Sequence, residues 1–226
     1  MLWPQTSAAD AIQLSWTSCA GSAGAASDLT VPCVNTDHEN AFVSFELASP
    51  MDSVVAVEGV VDIQSSAPEL PEWWMYQPGG CRYLRLIASA SFPGGSGCAD
   101  FGAGGASLDA PPIYLAGQGG ASRARIEFSI VVPSTTPRDL GASIRYTAVR
   151  LEIQNQANLD CGICAEPACL ALQSLTLRRV RGDHFEDREL GPDAGGSNRV
   201  TWQGGAGCDI VPARRSTWGS LKALYR

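Results

Sequence analysis

Three groups of residues in this 226-residue chain have the means to do chemistry: eight cysteines, two histidines with acidic neighbours, and one cluster of aromatic rings. The cysteines are Cys19, Cys33, Cys81, Cys98, Cys161, Cys164, Cys169 and Cys208, all in stretches rich in Gly, Pro and Ser. An even set with such flanks reads as a disulfide framework built in an oxidising compartment. Cys19 and Cys33 enclose a small-residue loop that burial alone could not order, and Cys81 and Cys98 bracket one apolar segment. The expectation is therefore a local 19–33 bond and a local 81–98 bond, with Cys161, Cys164 and Cys169 sharing partners with Cys208. Eight cysteines allow 105 connectivities.

The run Cys161-Gly-Ile-Cys164 also fits a redox pair, or half of a zinc site completed by Cys169 and Cys208. Four-thiolate zinc sites use two short knuckles, and a second one is missing here. A dithiol redox motif needs a βαβ setting, which is absent too. Structural disulfides remain the stronger reading.

The histidines lie in Asp37-His38-Glu39-Asn40 and Asp183-His184-Phe185-Glu186-Asp187. Each has carboxylates that could orient or charge it. Either cluster could offer oxygen ligands to calcium, although EF-hand spacing is absent and solvated loop acids are the plainer account. The aromatic cluster is Pro68-Glu-Leu-Pro-Glu-Trp-Trp-Met-Tyr76, followed by Gln77-Pro-Gly-Gly-Cys81. Trp73, Trp74 and Tyr76 on a proline-bounded loop could stack on sugar rings, with Glu72 or Gln77 bonding hydroxyls. The competing account is that the rings cap an open end of the core.

Motifs that would specify a reaction are missing. No Gly-x-Ser-x-Gly elbow exists, the nearest text being Gly94-Gly-Ser-Gly97, and there is no HExxH, Walker A or dinucleotide fingerprint. A pair of glycosidase carboxylates can hide in any sequence. An extracellular hydrolase using carboxylates or a bound metal thus stands as the alternative to a binding or structural protein. No cofactor is called for.

The elements that must hold these residues are strands. Only 17% of residues are charged, while Gly (24) and Pro (14) are abundant, so turns are many and long helices few. A net charge of −7 argues against nucleic-acid or anionic-membrane partners. No run of about 18 apolar residues spans a bilayer. The first residues form no signal peptide, so a removed leader is expected of a secreted or periplasmic protein.

Period-two alternation marks strands at Ile12–Thr17, Val43–Leu47, Arg82–Ser91, Arg123–Val132, Leu170–Val180 and Arg199–Trp202. Val54–Ile63 is almost wholly apolar around Gly59 and suits a kinked central strand. From Ser143 to Gln154 the inward phase slips between Ala148 and Val149, which predicts a bulge. Pro93–Gln118 and Gly182–Asn198 read as long loops. About eight antiparallel strands make a single β-sandwich or jelly roll over residues 1–226. Residues 213–226 read as a docked tail or short helix, with Trp218, Leu221 and Tyr225 on one face.

Four stretches carry a resemblance: Arg215-Ser-Thr-Trp-Gly-Ser-Leu-Lys-Ala-Leu-Tyr-Arg226, Val60-Val-Asp-Ile-Gln-Ser65, the Leu-Pro-Glu-Trp-Trp run, and Gly80-Cys-Arg82. They resemble segments of certain uncharacterised secreted bacterial proteins. The resemblance implies an extracytoplasmic location and carries no activity. The partners expected are a glycan, a surface protein, or further copies of the chain.

Overall fold

The computed structural model describes residues 10–33, 37–93, 95–108, 110–155, 161–162, 164–192 and 197–205. Their order begins β1 (Ala11–Trp16), β2 (Asp28–Leu29), β3 (His38–Glu46) and β4 (Met51–Ser65), then a 3₁₀ turn (Glu72–Trp74) and β5 (Leu86–Ser89). There follow β6 (Ala99–Asp100), β7 (Ser107–Leu108), β8 (Ile113–Ala116), β9 (Arg123–Val131), β10 (Arg138–Leu140) and β11 (Arg145–Gln154). The last are β12 (Ala168–Arg181), β13 (His184–Leu190) and β14 (Arg199–Trp202).

These strands form the two sheets of a β-sandwich. The smaller has the order β1-β3-β11-β5, with β6 also beside β11; the larger runs β2-β14-β12-β4-β9-β7. In the larger sheet β10 also pairs with β4, β13 with β12, and β8 with β9. Pairing is antiparallel except for β6 on β11 and β2 on β14. Alternate residues of both sheets meet in one apolar cluster, among them Ile12, Val43, Phe45, Val61, Ile63, Ile126, Leu151, Leu170 and Leu172.

The phase slip of β11 is present as a register shift between Thr147 and Val149 against β3. It leaves both Ala148 and Val149 buried, as the sequence requires. Gly59 sits mid-strand in β4 because a Cβ there would collide with the Phe128 ring and with Leu175. The partner strand β12 bulges alongside, between Leu172 and Ser174.

Several expectations are corrected. Only Leu86–Ser89 of the Arg82–Ser91 segment is strand, because Cys81–Leu84 turns and Leu84 takes a positive φ of 63°. The 182–198 stretch is not all loop, for His184–Leu190 is β13, paired along β12 from Leu175↔Leu190 to Arg181↔His184. Short strands also interrupt the 93–118 stretch. The docked-tail expectation for 213–226 lies outside the described residues.

The disulfides are long-range: Cys19–Cys98, Cys33–Cys164 and Cys81–Cys161, with sequence separations of 79, 131 and 80. Cys169 is disulfide-bonded as well, and Cys208 lies outside the described residues. The expected 19–33 and 81–98 bonds are therefore wrong, for a geometric reason. Between Cys19 and Cys33 the chain leaves the smaller sheet and adds β2 to the edge of the larger. Between Cys81 and Cys98 it runs the length of β11, from Leu86 opposite Ile153 to Ala99 opposite Tyr146. Seven residues of strand span roughly 23 Å, and a disulfide needs Cα atoms within about 7 Å.

Candidate functional site

The aromatic segment leaves β4, passes Pro68 and Pro71, and turns through the 3₁₀ helix at Glu72–Trp74. The turn directs its rings inward. Trp73, Trp74 and Tyr76 are 6%, 0% and 4% exposed. Their faces are occupied: Trp202 lies 6.0 Å from Trp73 and 5.6 Å from Trp74, Trp16 stands 6.0 Å from Trp202, and Tyr114 is edge-on to Tyr76 at 5.4 Å. The Tyr114 hydroxyl donates to the Trp74 carbonyl, and Trp202 Nε1 donates to the Cys164 carbonyl at 2.9 Å. No face is left for a sugar ring. The expectation of a stacking platform at Trp73, Trp74 and Tyr76 is corrected; the rings close one end of the core, where their large areas bury most apolar surface.

A buried cation completes this plug. The guanidinium of Arg82 lies 3.8 Å over the Trp73 ring and 5.5 Å from that of Tyr76. It donates to the Gln154 carbonyl and to Asn155 Oδ1 at the end of β11. Burial lowers the Arg82 pKa, an effect partly offset by Tyr76. Next to it, Cys81–Cys161 ties the plug to the segment that follows β11.

Burial raises the pKa of both Tyr76 and Tyr114, with the Arg82 charge opposing it at Tyr76. The neutral phenol is the form the fold favours, so this contribution is complete below about pH 10. It is lost as the pH rises and the unfolded chain ionises first. Spectrophotometric titration of the folded protein is expected to leave these two of the five tyrosines silent until alkaline unfolding. Reversible ionisation of all five near pH 10, with the fold intact, would contradict the buried plug.

His38 and Glu39 are consecutive in β3 and therefore point to opposite faces. Burial raises the Glu39 pKa, with His38 pulling it back. His184 Nε2 lies 3.6 Å from Glu186, and its Nδ1 lies 3.4 Å from Asp183. Among the described residues, no set of three or more His, Cys, Asp or Glu side chains converges as a metal site would require.

The densest polar chemistry was missed in the sequence. It lies on the β12–β13 hairpin. Arg178 holds Asp187 through two bonds of 2.9 and 3.1 Å and reaches Glu58 at 3.2 Å. Arg179 holds Glu186 and, at 3.0 Å, Asp52. Arg188 grips Asp10, the residue before β1, and Ser49 in the β3–β4 turn. Hydrogen bonding from Arg179 holds the Glu186 carboxyl below its ordinary pKa. The signal was present: Gly182-Asp183 is a two-residue hairpin turn, and arginines before it face acids after it.

A cavity of about 230 Å³ opens at the base of this hairpin, lined by Ser49, Pro50, Met51, Arg179, Glu186, Asp187 and Arg188. It is smaller than the roughly 300 Å³ at which small-molecule sites begin. Its carboxylates are spent on arginines, and Glu186 is shifted away from the raised pKa that a general acid needs. At the tip, Phe185 stands 65% exposed. Tyr83, Leu84 and Ile87, a few residues after Cys81 in sequence, are exposed as well.

No family model matches the chain, and no curated protein matches it. Among solved structures it is similar to a cohesin module from a family 33 glycoside hydrolase of Clostridium perfringens, at 9% identity and a TM-score of 0.37, over 82% of this chain and 96% of that one. It is also similar to a structure titled "AvmM Catalyzes Macrocyclization in Alchivemycin A Biosynthesis", at 11% identity and 0.37, over 81% and 89%. Likenesses at this level carry nothing about ligand or reaction.

Proposed function

We propose that this protein is a secreted, disulfide-stapled β-sandwich that binds other protein surfaces rather than catalysing a reaction. The observation that carries the reading is the β12–β13 hairpin. Its backbone pairing continues to Arg181↔His184, past the last β12–β4 pair at Arg179↔Val54, so its Gly182-Asp183 turn extends beyond the ladder with the central strand. A hairpin that extends past its neighbouring strand has few buried contacts to fix its orientation. Here two layers of arginine–carboxylate pairs fix it to Asp10, Asp52 and Glu58 in the body. Individually such exposed pairs contribute about 0–1 kcal/mol, so orientation of the tip is the stronger reason for so many. Holding a contact element rigid lowers the entropy cost of association.

Support for the compartment comes from the disulfides, since such bonds persist outside the reducing cytosol. No helix among the described residues is long and apolar enough to cross a membrane. The partner classes in view are a surface protein and a second copy of the chain.

The Phe185→Asp substitution tests the reading. The ring is exposed, so stability should change by less than about 0.5 kcal/mol. If copies associate through the tip, light scattering of the wild type should show mass rising with concentration, and the variant should stay monomeric. If another surface protein is the partner, an array of extracellular ectodomains should show binding that the variant loses. Wild-type protein that stays monomeric and binds nothing on the array, or binding that Phe185→Asp leaves unchanged, overturns the role of the hairpin.

A further inference from the structure

We infer that the hairpin tip presents Arg181-Gly182-Asp183 as a recognition tripeptide for a receptor that carries a divalent cation beside an acidic pocket. This rests on the hairpin being the binding element and names the chemistry of its partner. Arg181 closes β12 and pairs with His184, so Gly182 and Asp183 are the two central residues of the turn. Gly182 has a φ of +60°, whereas Asp183 is not in the left-handed region. That is the pattern of a type II′ turn, which matches the strand twist and fixes the loop.

The turn leaves its aspartate wholly in solvent, the side chain being 103% exposed. The contact to it among the described residues is His184 Nδ1, at 3.4 Å. Asp10, Asp52, Glu58, Glu186 and Asp187, acids around the hairpin, are each held by at least one arginine at 3.2 Å or less. Asp183 is thus an acid at this end with unspent oxygen ligands. A carboxylate is a hard ligand, suited to completing the coordination of a magnesium, manganese or calcium ion held by another protein.

Arg181 is held, but only by longer ion pairs. Arg179 takes Asp52 at 3.0 Å and also holds Glu186, which leaves Arg181 with the same two carboxylates at 3.4 and 3.7 Å. Its side chain remains 45% exposed. A guanidinium so loosely held can exchange these contacts for a bidentate carboxylate on a partner. The tip therefore shows one available cation and one available anion, two residues apart on a backbone already fixed. Phe185 supplies apolar area next to them. A rigid tripeptide of this kind binds without the ordering cost that a flexible one incurs.

The test uses the whole protein over an immobilised integrin ectodomain of the kind selected by Arg-Gly-Asp peptide, in buffer containing manganese. The expected result is binding that EDTA abolishes and free Arg-Gly-Asp-Ser peptide competes, while Arg-Gly-Glu-Ser peptide does not. Asp183→Glu keeps the charge at an exposed site and should leave folding unchanged. It should weaken binding by roughly thirtyfold or more, the size of a hot-spot loss. Arg181→Gln should also weaken it. No binding by the wild type overturns the inference, as does binding insensitive to EDTA or to Asp183→Glu. Binding lost in Phe185→Asp but kept in Asp183→Glu would leave the hairpin as the contact element and remove the tripeptide.

Discussion

Replacing Cys81 and Cys161 together by alanine is expected to lower the unfolding free energy by roughly 3.5–4.5 kcal/mol. The bond closes a chain separation of 80, and loop closure of that size restricts the unfolded state strongly. The Cys33–Cys164 bond encloses it and survives the change, so the freed chain keeps a shorter path and the loss falls below the full single-loop value. A second effect adds locally. Cys81 precedes Arg82, whose guanidinium packs on Trp73 and bonds the end of β11, and Cys161 is itself buried. Denaturant unfolding should show a lower midpoint, and hydrogen exchange should rise first in residues 72–85. A loss below about 1 kcal/mol would mean that the aromatic plug is held by packing alone and that the crosslink is incidental.

The plug also shows where sequence reading succeeds and where it stops. Long strands announce themselves: β1, β3, β9, β11 and β12 coincide with the stretches of apolar alternation, including the bulge before Val149, and β4 with the almost wholly apolar run around Gly59. Alternation works because the buried face is made of single side chains on one strand. Disulfide partners are not a local property. Which cysteines meet depends on which strands are neighbours, and Cys33 meets Cys164 because both flank the β2-β14-β12 edge. Exposure is equally non-local. Trp73, Trp74 and Tyr76 looked free because no strand pattern contained them, yet Trp202 and Tyr114, far away in sequence, fill the space above them.

The hairpin failed to register for another reason. Alternation of apolar and polar residues is absent from His-Phe-Glu-Asp-Arg-Glu-Leu because β13 is an edge strand carrying ion pairs on both faces. Edge strands avoid continuous apolar faces, since an open apolar edge invites uncontrolled pairing. A contact element would therefore show in the sequence as a charged strand with one misplaced aromatic ring. Phe185 is that ring.

The same arginine–carboxylate chemistry serves stability elsewhere in the sheet, and Asp62→Ala is expected to separate the two uses. Asp62 in β4 lies directly across from Arg125 in β9, which holds it through bonds of 2.7 and 3.0 Å. Both side chains are 7% exposed, unlike the hairpin acids, which are 41–54% exposed at Asp52, Glu58, Glu186 and Asp187. Hydrogen bonding to Asp62 raises the Arg125 pKa, and because arginine is protonated far above neutral pH the guanidinium stays charged even when that partner is lost. Removing Asp62 strands that charge under the sheet surface at a cost of about 3–5 kcal/mol. Glu127, which also acts on Arg125, can take up part of it, which places the expected loss near the lower bound. Asp62→Leu combined with Arg125→Met should recover most of the stability, because two apolar side chains of similar size need no compensation. Register is then the reason for an ion pair here, since slipping β9 by one residue would separate the charges and exchange its faces. A double-mutant cycle in denaturant measures the coupling. Losses of less than about 1 kcal/mol from Asp62→Ala would put this pair in the same class as the hairpin's, and the distinction between a stabilising pair and orienting ones would fall.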